Sequence, residues 1–135
     1  MPLPINRPLQ EYNLECHLAD ITTSGGTAVA FTPVPTRGVI TRVYAAQYNT
    51  ATGGAAIITV AKKDGQTGNT VTVSGCEMTF STTSGQAGRV YSAVPSHPLG
   101  SAAAVSEGDV LSFTSNGAPT DATVPATFTA IIRRG

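Results

Sequence analysis

The sequence predicts an all-β fold: an eight-stranded antiparallel sandwich, jelly-roll-like, entered through an extended N-terminal arm. Three observations predict it. The 135 residues include 20 Thr, 12 Val and 10 Ser but only 6 Leu and 2 Lys, so sheet formers outweigh strong helix formers. The 14 Gly and 9 Pro gather in turn clusters that divide the chain into short runs, each about ten residues from the next, as sandwiches and barrels require. No helical pattern alternates with strands, as a parallel sheet would demand.

The elements follow in order. Residues 1–13 form a separate arm, with Pro2, Pro4 and Pro8 interleaved with Leu3, Ile5 and Leu9. Proline removes backbone donors and favours extended chain, so this segment is no helix and pairs as a strand only at an edge. The sandwich domain spans 14–135. Its strands are Leu14–Ile21, Thr27–Phe31, Gly38–Tyr48, Ala56–Lys63, Thr70–Phe80, Gly88–Val94, Val110–Thr114 and Thr123–Arg133. In the third, alternation puts Ile40, Arg42, Tyr44 and Ala46 on one face and Val39, Thr41, Val43 and Ala45 on the other. In the fifth, Ser74 and Gly75 mark a bulge. In the last, Val124, Ala126, Phe128, Ala130 and Ile132 share a face, with Thr127, Thr129 and Ile131 opposite. Loops longer than two-residue hairpins favour a jelly roll over an up-and-down barrel, the architectural alternative.

A chain of this length makes one domain with one modest core. Hydrophobic residues make up 41%, but charged residues only 12%, and eight acids balance eight bases; an average domain carries about a quarter charged residues. That balance excludes the basic stripe of a nucleic-acid binder and the cationic face of an anionic-membrane binder. A surface so poor in charge is weakly protected against association, which points to a protein covered by partners in use. No stretch is long and apolar enough to span a bilayer, and "MPLPINRPLQEYN" lacks a secretory signal's apolar core, so cytoplasmic synthesis is expected.

Candidate chemistry is sparse. Cys16 and Cys76 sit in strands and read as small core residues, with a disulfide left open. His17 adjoins Cys16, but neighbours on a strand face opposite sides and cannot chelate one ion. His97 lies in "PSHPLG", and neither histidine has zinc spacing. Glu107 and Asp109 in "SEGD" raise a calcium loop or a glycosidase pair; a turn with Gly108 at positive φ is the simpler reading. The Gly-containing loops "TATGGAA" and "TSGQAG" precede no helix and cannot cradle phosphate. Tyr48 and Tyr91 could stack on a sugar, though a core or interface role suits them better. No catalytic residue, cofactor or metal is assigned.

Several stretches resemble small structural proteins of tailed bacteriophages: "RGVITRVYAAQYN", "AAIITVAKKDG", "GRVYSAVP", "VSEGDVLSFTSNGA" and "VPATFTAIIR". The pattern, from about residue 21 to the end, is similar to that of head decoration (cement) proteins. The resemblance implies a non-enzymatic virion protein on the capsid surface. It would bind the major capsid protein between capsomers and assemble with itself, as a trimer. Leu3, Ile5, Arg7, Leu9 and Tyr12 of the arm, with Arg133 and Arg134, are the expected partner-binding residues. A tail-fibre or carbohydrate-binding module is the alternative.

Overall fold

The β-branched runs build ten strands in the computed structural model, which describes residues 11–22, 28–83, 85–96, 103–117 and 123–134. They are β1 (Glu11–Leu18), β2 (Ala28–Pro33), β3 (Gly38–Gln47), β4 (Ile57–Lys63) and β5 (Thr70–Thr72). β6 (Met78–Thr79), β7 (Val90–Ala93), β8 (Ala104–Val105), β9 (Val110–Ser115) and β10 (Ala126–Arg134) complete the set. There is no helix among the described residues. Sheet A runs β1-β10-β3-β7 with β8 also on β3; sheet B runs β2-β9-β4-β5 with β6 also on β4. Every pairing is antiparallel. Ten strands stand where eight were expected, the two-residue β6 and β8 being additional; of the other eight, only β4 and β5 are consecutive within one sheet, and every other step crosses between two four-stranded sheets as in a jelly roll.

The core lies between the sheets, and the last strand shows why. Val124, Ala126, Phe128, Ala130 and Ile132 are all fully buried, as alternation predicts. Phe128 of sheet A stacks on Phe113 of sheet B, centroids 5.1 Å apart and planes 8° apart, which ties the two layers at mid-sandwich. A second stack, Phe80 on Tyr91 at 4.8 Å, closes the β6–β7 side. Gln47 is fully buried yet satisfied. Its Oε1 accepts from Tyr91 Oη at 2.5 Å, and its Nε2 donates to the Asn49 carbonyl at 2.9 Å. Tyr91 Oη also accepts from the Ser81 N–H at 2.7 Å. Tyr91 is thus a structural residue, and the sugar-stacking role raised for it does not hold.

Three expectations are corrected. β3 does not alternate uniformly: Ile40, Val43, Ala45 and Gln47 point inward, while Arg42 and Tyr44 are exposed. Ile131 pairs with Arg42 but Ile132 pairs with Ile40, so Thr41 is an extra residue that reverses the strand's phase. Thr41 Oγ1 donates to the Ile131 carbonyl at 3.2 Å across this bulge. The expected fifth strand is broken in two, because Ser74 and Gly75 form a turn rather than a bulge. Gly75 has φ +89°, and a Cβ there would meet the Ser96 backbone nitrogen at 2.5 Å. Finally, β1 begins at Glu11, so residues 11–13 of the expected arm pair with Ile131, Ile132 and Arg133 of β10.

Candidate interaction surfaces

Register decides what each sheet shows to solvent. On the outer face of sheet B, Val29, Thr114 and Thr59 form one row. Phe31, Ser112, Ala61 and Thr72 form the next, and Pro33, Val110, Lys63 and Thr70 the third. Lys63 is the only charge in these three rows. Phe31 is 56% exposed and Val29 38%, whereas Ala28 and Ala30, the small residues of β2, turn toward the core. Lys63 Nζ stands 5.9 Å from the Phe31 ring centroid, the one cation over an otherwise neutral face.

Sheet A presents the opposite character. Glu11, Glu15, His17, Arg42 and Arg133 are all exposed along its outer rows. At one corner the Tyr48 ring, 52% exposed, tilts against His17 at 5.9 Å. Thr127 Oγ1 lies 3.2 Å from Tyr48 Oη and 3.4 Å from His17 Nδ1. Cys16, beside His17, points the other way and packs against the core, as the strand argument requires. Cys76 is buried, and both thiols are free. Burial pushes each up to about 11, so neither is a ready nucleophile.

The start of β1 and the end of β10 meet at one end of the sandwich. Glu11 lies opposite Arg133. Tyr12 is half-buried, its hydroxyl donating to the Thr36 carbonyl, with the Arg134 guanidinium 5.6 Å from its ring centroid. Arg133 and Arg134 are both exposed, but they diverge: Arg133 joins the outer face beside Glu11, and Arg134 lies over Tyr12. Tyr12 therefore braces the sandwich end. Leu3, Ile5, Arg7 and Leu9 lie outside the described residues, as does His97.

The "SEGD" stretch at this end is a turn. Gly108 has φ +89°, the Asp109 carboxylate accepts from the Ser106 N–H at 2.9 Å, and Val34 N–H donates to the Asp109 carbonyl at 2.8 Å. A second loop, 64–68, packs on it. Asp64 Oδ1 accepts from the N–H groups of Gln66 and Thr67 at 2.8 and 3.0 Å, which hold its carboxyl below the usual range. A Cβ on Gly65 would sit 1.9 Å from the Gly108 carbonyl oxygen, so only glycine permits this approach. Among the described residues no three His, Cys, Asp or Glu side chains gather to hold a metal.

Sequence reasoning did not single out Phe31, Val29 or Lys63. The available signal was "AVAFTP", where the larger residues share one parity and the smaller ones the other; which set faces inward depends on the partner sheet.

Neither the family models nor the curated proteins contain a match to the chain. Among solved structures, it is similar to AlgX of Pseudomonas aeruginosa at 8% identity and TM-score 0.52, over 90% of this chain and 26% of that one. It is also similar to Eiger TNF from S. frugiperda at 11% identity and TM-score 0.44, over 91% of this chain and 93% of that one. A third likeness, at 17% identity and TM-score 0.40, is to FLHE, over 92% of this chain and 98% of that one. At this identity the likeness to AlgX concerns the fold alone, and the chain spans about a quarter of the length of AlgX.

Proposed function

We propose that the chain is a decoration (cement) protein of a tailed-bacteriophage head, bound outside the assembled shell and bridging neighbouring major capsid protein subunits. The observation that carries this reading is the outer face of sheet B. Eleven residues in three rows hold a single charge, with Phe31 and Val29 exposed among four threonines. A face of this kind favours burial against another protein surface over solvation. Copies would pack through it as a trimer, and the N-terminal arm, with Leu3, Ile5, Arg7 and Leu9, would engage the capsid protein. Each contact is small, but many copies on one shell act together, and loss at one site leaves the rest engaged.

Mass spectrometry of intact phage particles from the producing culture tests the reading directly. The chain should be present at a copy number comparable with the major capsid protein, and Phe31→Ser should strip it from the particles. Absence from purified particles refutes it. Arm deletions should stop at Gln10, because Glu11–Asn13 pair with β10.

A second reading, a glycan-binding module, rests on Tyr48 with His17 and Thr127 on sheet A. Under it, Tyr48→Ala abolishes glycan binding while deletion of residues 1–10 leaves it intact.

A further inference from the structure

The open side of an edge strand is a row of backbone donors and acceptors, and sheet proteins guard it with charge or with brevity. Three of the four strands that end the sheets are guarded in this way. β1 carries Glu11 and Glu15, β5 is three residues long and β7 four. The last, β2, runs for six residues, Ala28–Pro33, with no charged side chain. Among the described residues it pairs with β9 alone.

Register fixes which groups of β2 stay open. Val34, the next residue, donates its N–H to the Asp109 carbonyl at 2.8 Å and accepts from the Gly108 N–H at 3.0 Å. On the other side of β9, the Asn116 N–H donates to the Ile57 carbonyl at 3.1 Å. Even residues of β9 therefore bond to β4 and odd ones to β2. Both bonds lead to the same phase: Ala28, Ala30 and Thr32 direct their backbone groups to β9, while Val29 and Phe31 turn theirs to the open edge. Pro33 shares that parity, at a position where its missing N–H costs no ladder bond. The residues with open backbone groups also carry the large exposed side chains of the strand, Phe31 and Val29.

We propose that β2 pairs antiparallel with β2 of a second copy, about a two-fold axis at Ala30. The strand is its own complement. With Ala30 facing Ala30, each Val29 faces a Phe31, and the two residues exchange both of their N–H···O bonds. An aromatic and a β-branched side chain then stand cross-strand on the outer face, a favourable combination. Sliding the pair so that Phe31 faces Phe31 sets Val29 against Pro33, which has no N–H to give. No charge meets a like charge, because the strand carries none, and Glu11 and Glu15 of β1 turn to the outer face of sheet A. The two copies of sheet B become one continuous sheet. This goes beyond the decoration reading, which uses the face of sheet B and leaves its edge unassigned.

Sedimentation of the full-length chain, paired with amide hydrogen exchange, tests this. Toward millimolar concentration the chain should pass from monomer to dimer, and the Val29 and Phe31 amides should gain protection in step, while Ala30 and Thr32 are protected throughout. Val29→Pro removes an edge donor from each copy and no bond within one, so dimerisation should weaken about tenfold or more. Val29→Lys leaves the backbone intact and should weaken it too, by placing charge on the edge. Mixing that variant with Phe31→Glu should restore a dimer, since opposite charges then face each other. A chain that stays monomeric overturns the proposal, as does a dimer that ignores both Val29 variants or in which those two amides exchange as fast as in the monomer. So does protection independent of concentration, which would place another part of the same chain on the edge. None of these outcomes bears on whether the chain is found in phage particles, and its absence there leaves the strand pairing standing.

Discussion

Replacing Gly65 with alanine should destabilise the fold, although a loop glycine-to-alanine change is ordinarily stabilising by about 0.4–1 kcal/mol through the unfolded chain. The added Cβ would stand 1.9 Å from the Gly108 carbonyl oxygen, where real Cβ atoms essentially never come closer than 3.0 Å. The obstacle is backbone, so no side chain can swing aside. On one side the Asp64 carboxylate anchors the loop through Gln66 and Thr67. On the other, Val34 and Ser106 fix the turn. Forcing such a contact open costs about 1–3 kcal/mol, which leaves about 1.5 kcal/mol net after the unfolded-state gain. Unfolding entropy of about 2.1 cal/mol/K per residue converts that to a Tm lower by about 5 °C. Differential scanning calorimetry of the two proteins measures it. A Tm that is unchanged or higher means that the two loops do not touch, and the argument from close approach is wrong.

Other predictions rest on separate features. Phe128→Ala removes one half of the inter-sheet stack with Phe113 and should cost about 3–5 kcal/mol, read as a fall in the urea midpoint. Tyr91→Phe leaves the buried Gln47 Oε1 and the Ser81 N–H without their common partner, costing about 1–3 kcal/mol in the same assay. Phe31→Ser should leave the midpoint within about 0.5 kcal/mol of the parent while abolishing assembly, because that ring is 56% exposed. Burial raises the Cys16 and Cys76 thiols from 9.0 to about 11. Between those values the unfolded chain has released protons that the folded chain keeps, so this contribution is complete below pH 9 and is lost as pH rises toward 11. Urea midpoints across that window should fall, and Cys76→Ala should flatten the slope.

The broad architecture was legible because its causes are local. β-branched residues, turn clusters and strict alternation in "VPATFTAIIRR" need no knowledge of partners, and all five residues assigned to the inner face there are buried. Loops too long for two-residue hairpins pointed to strands crossing between sheets, and the sheet orders show that crossing. What stayed hidden arises from non-local pairing. The bulge at Thr41 exists only because β10 lies alongside with one residue fewer, so no reading of "GVITRVYAAQ" alone could place Val43 inward and Arg42 outward. The turn at Gly75 reflects the Ser96 backbone packed against it. Its proline-rich neighbours place Tyr12 with the arm, yet Thr36 and Arg134 draw it onto the sandwich end. β2 carries apolar residues of both parities, so sequence alone does not mark Phe31, and the aspect facing outward is settled by sheet A.

Because Glu11 and Arg133 are cross-strand partners, the described chain enters and leaves the sandwich at one pole. A reporter fused after Arg134 would crowd the very side from which the leading segment departs. The far pole, where the loop holding Gly88 lies, is the better place for a displayed peptide. The same adjacency suits the fold to circular permutation: a short linker from Arg134 to Glu11 would have little distance to cross, and new termini could be opened opposite without disturbing β1 or β10.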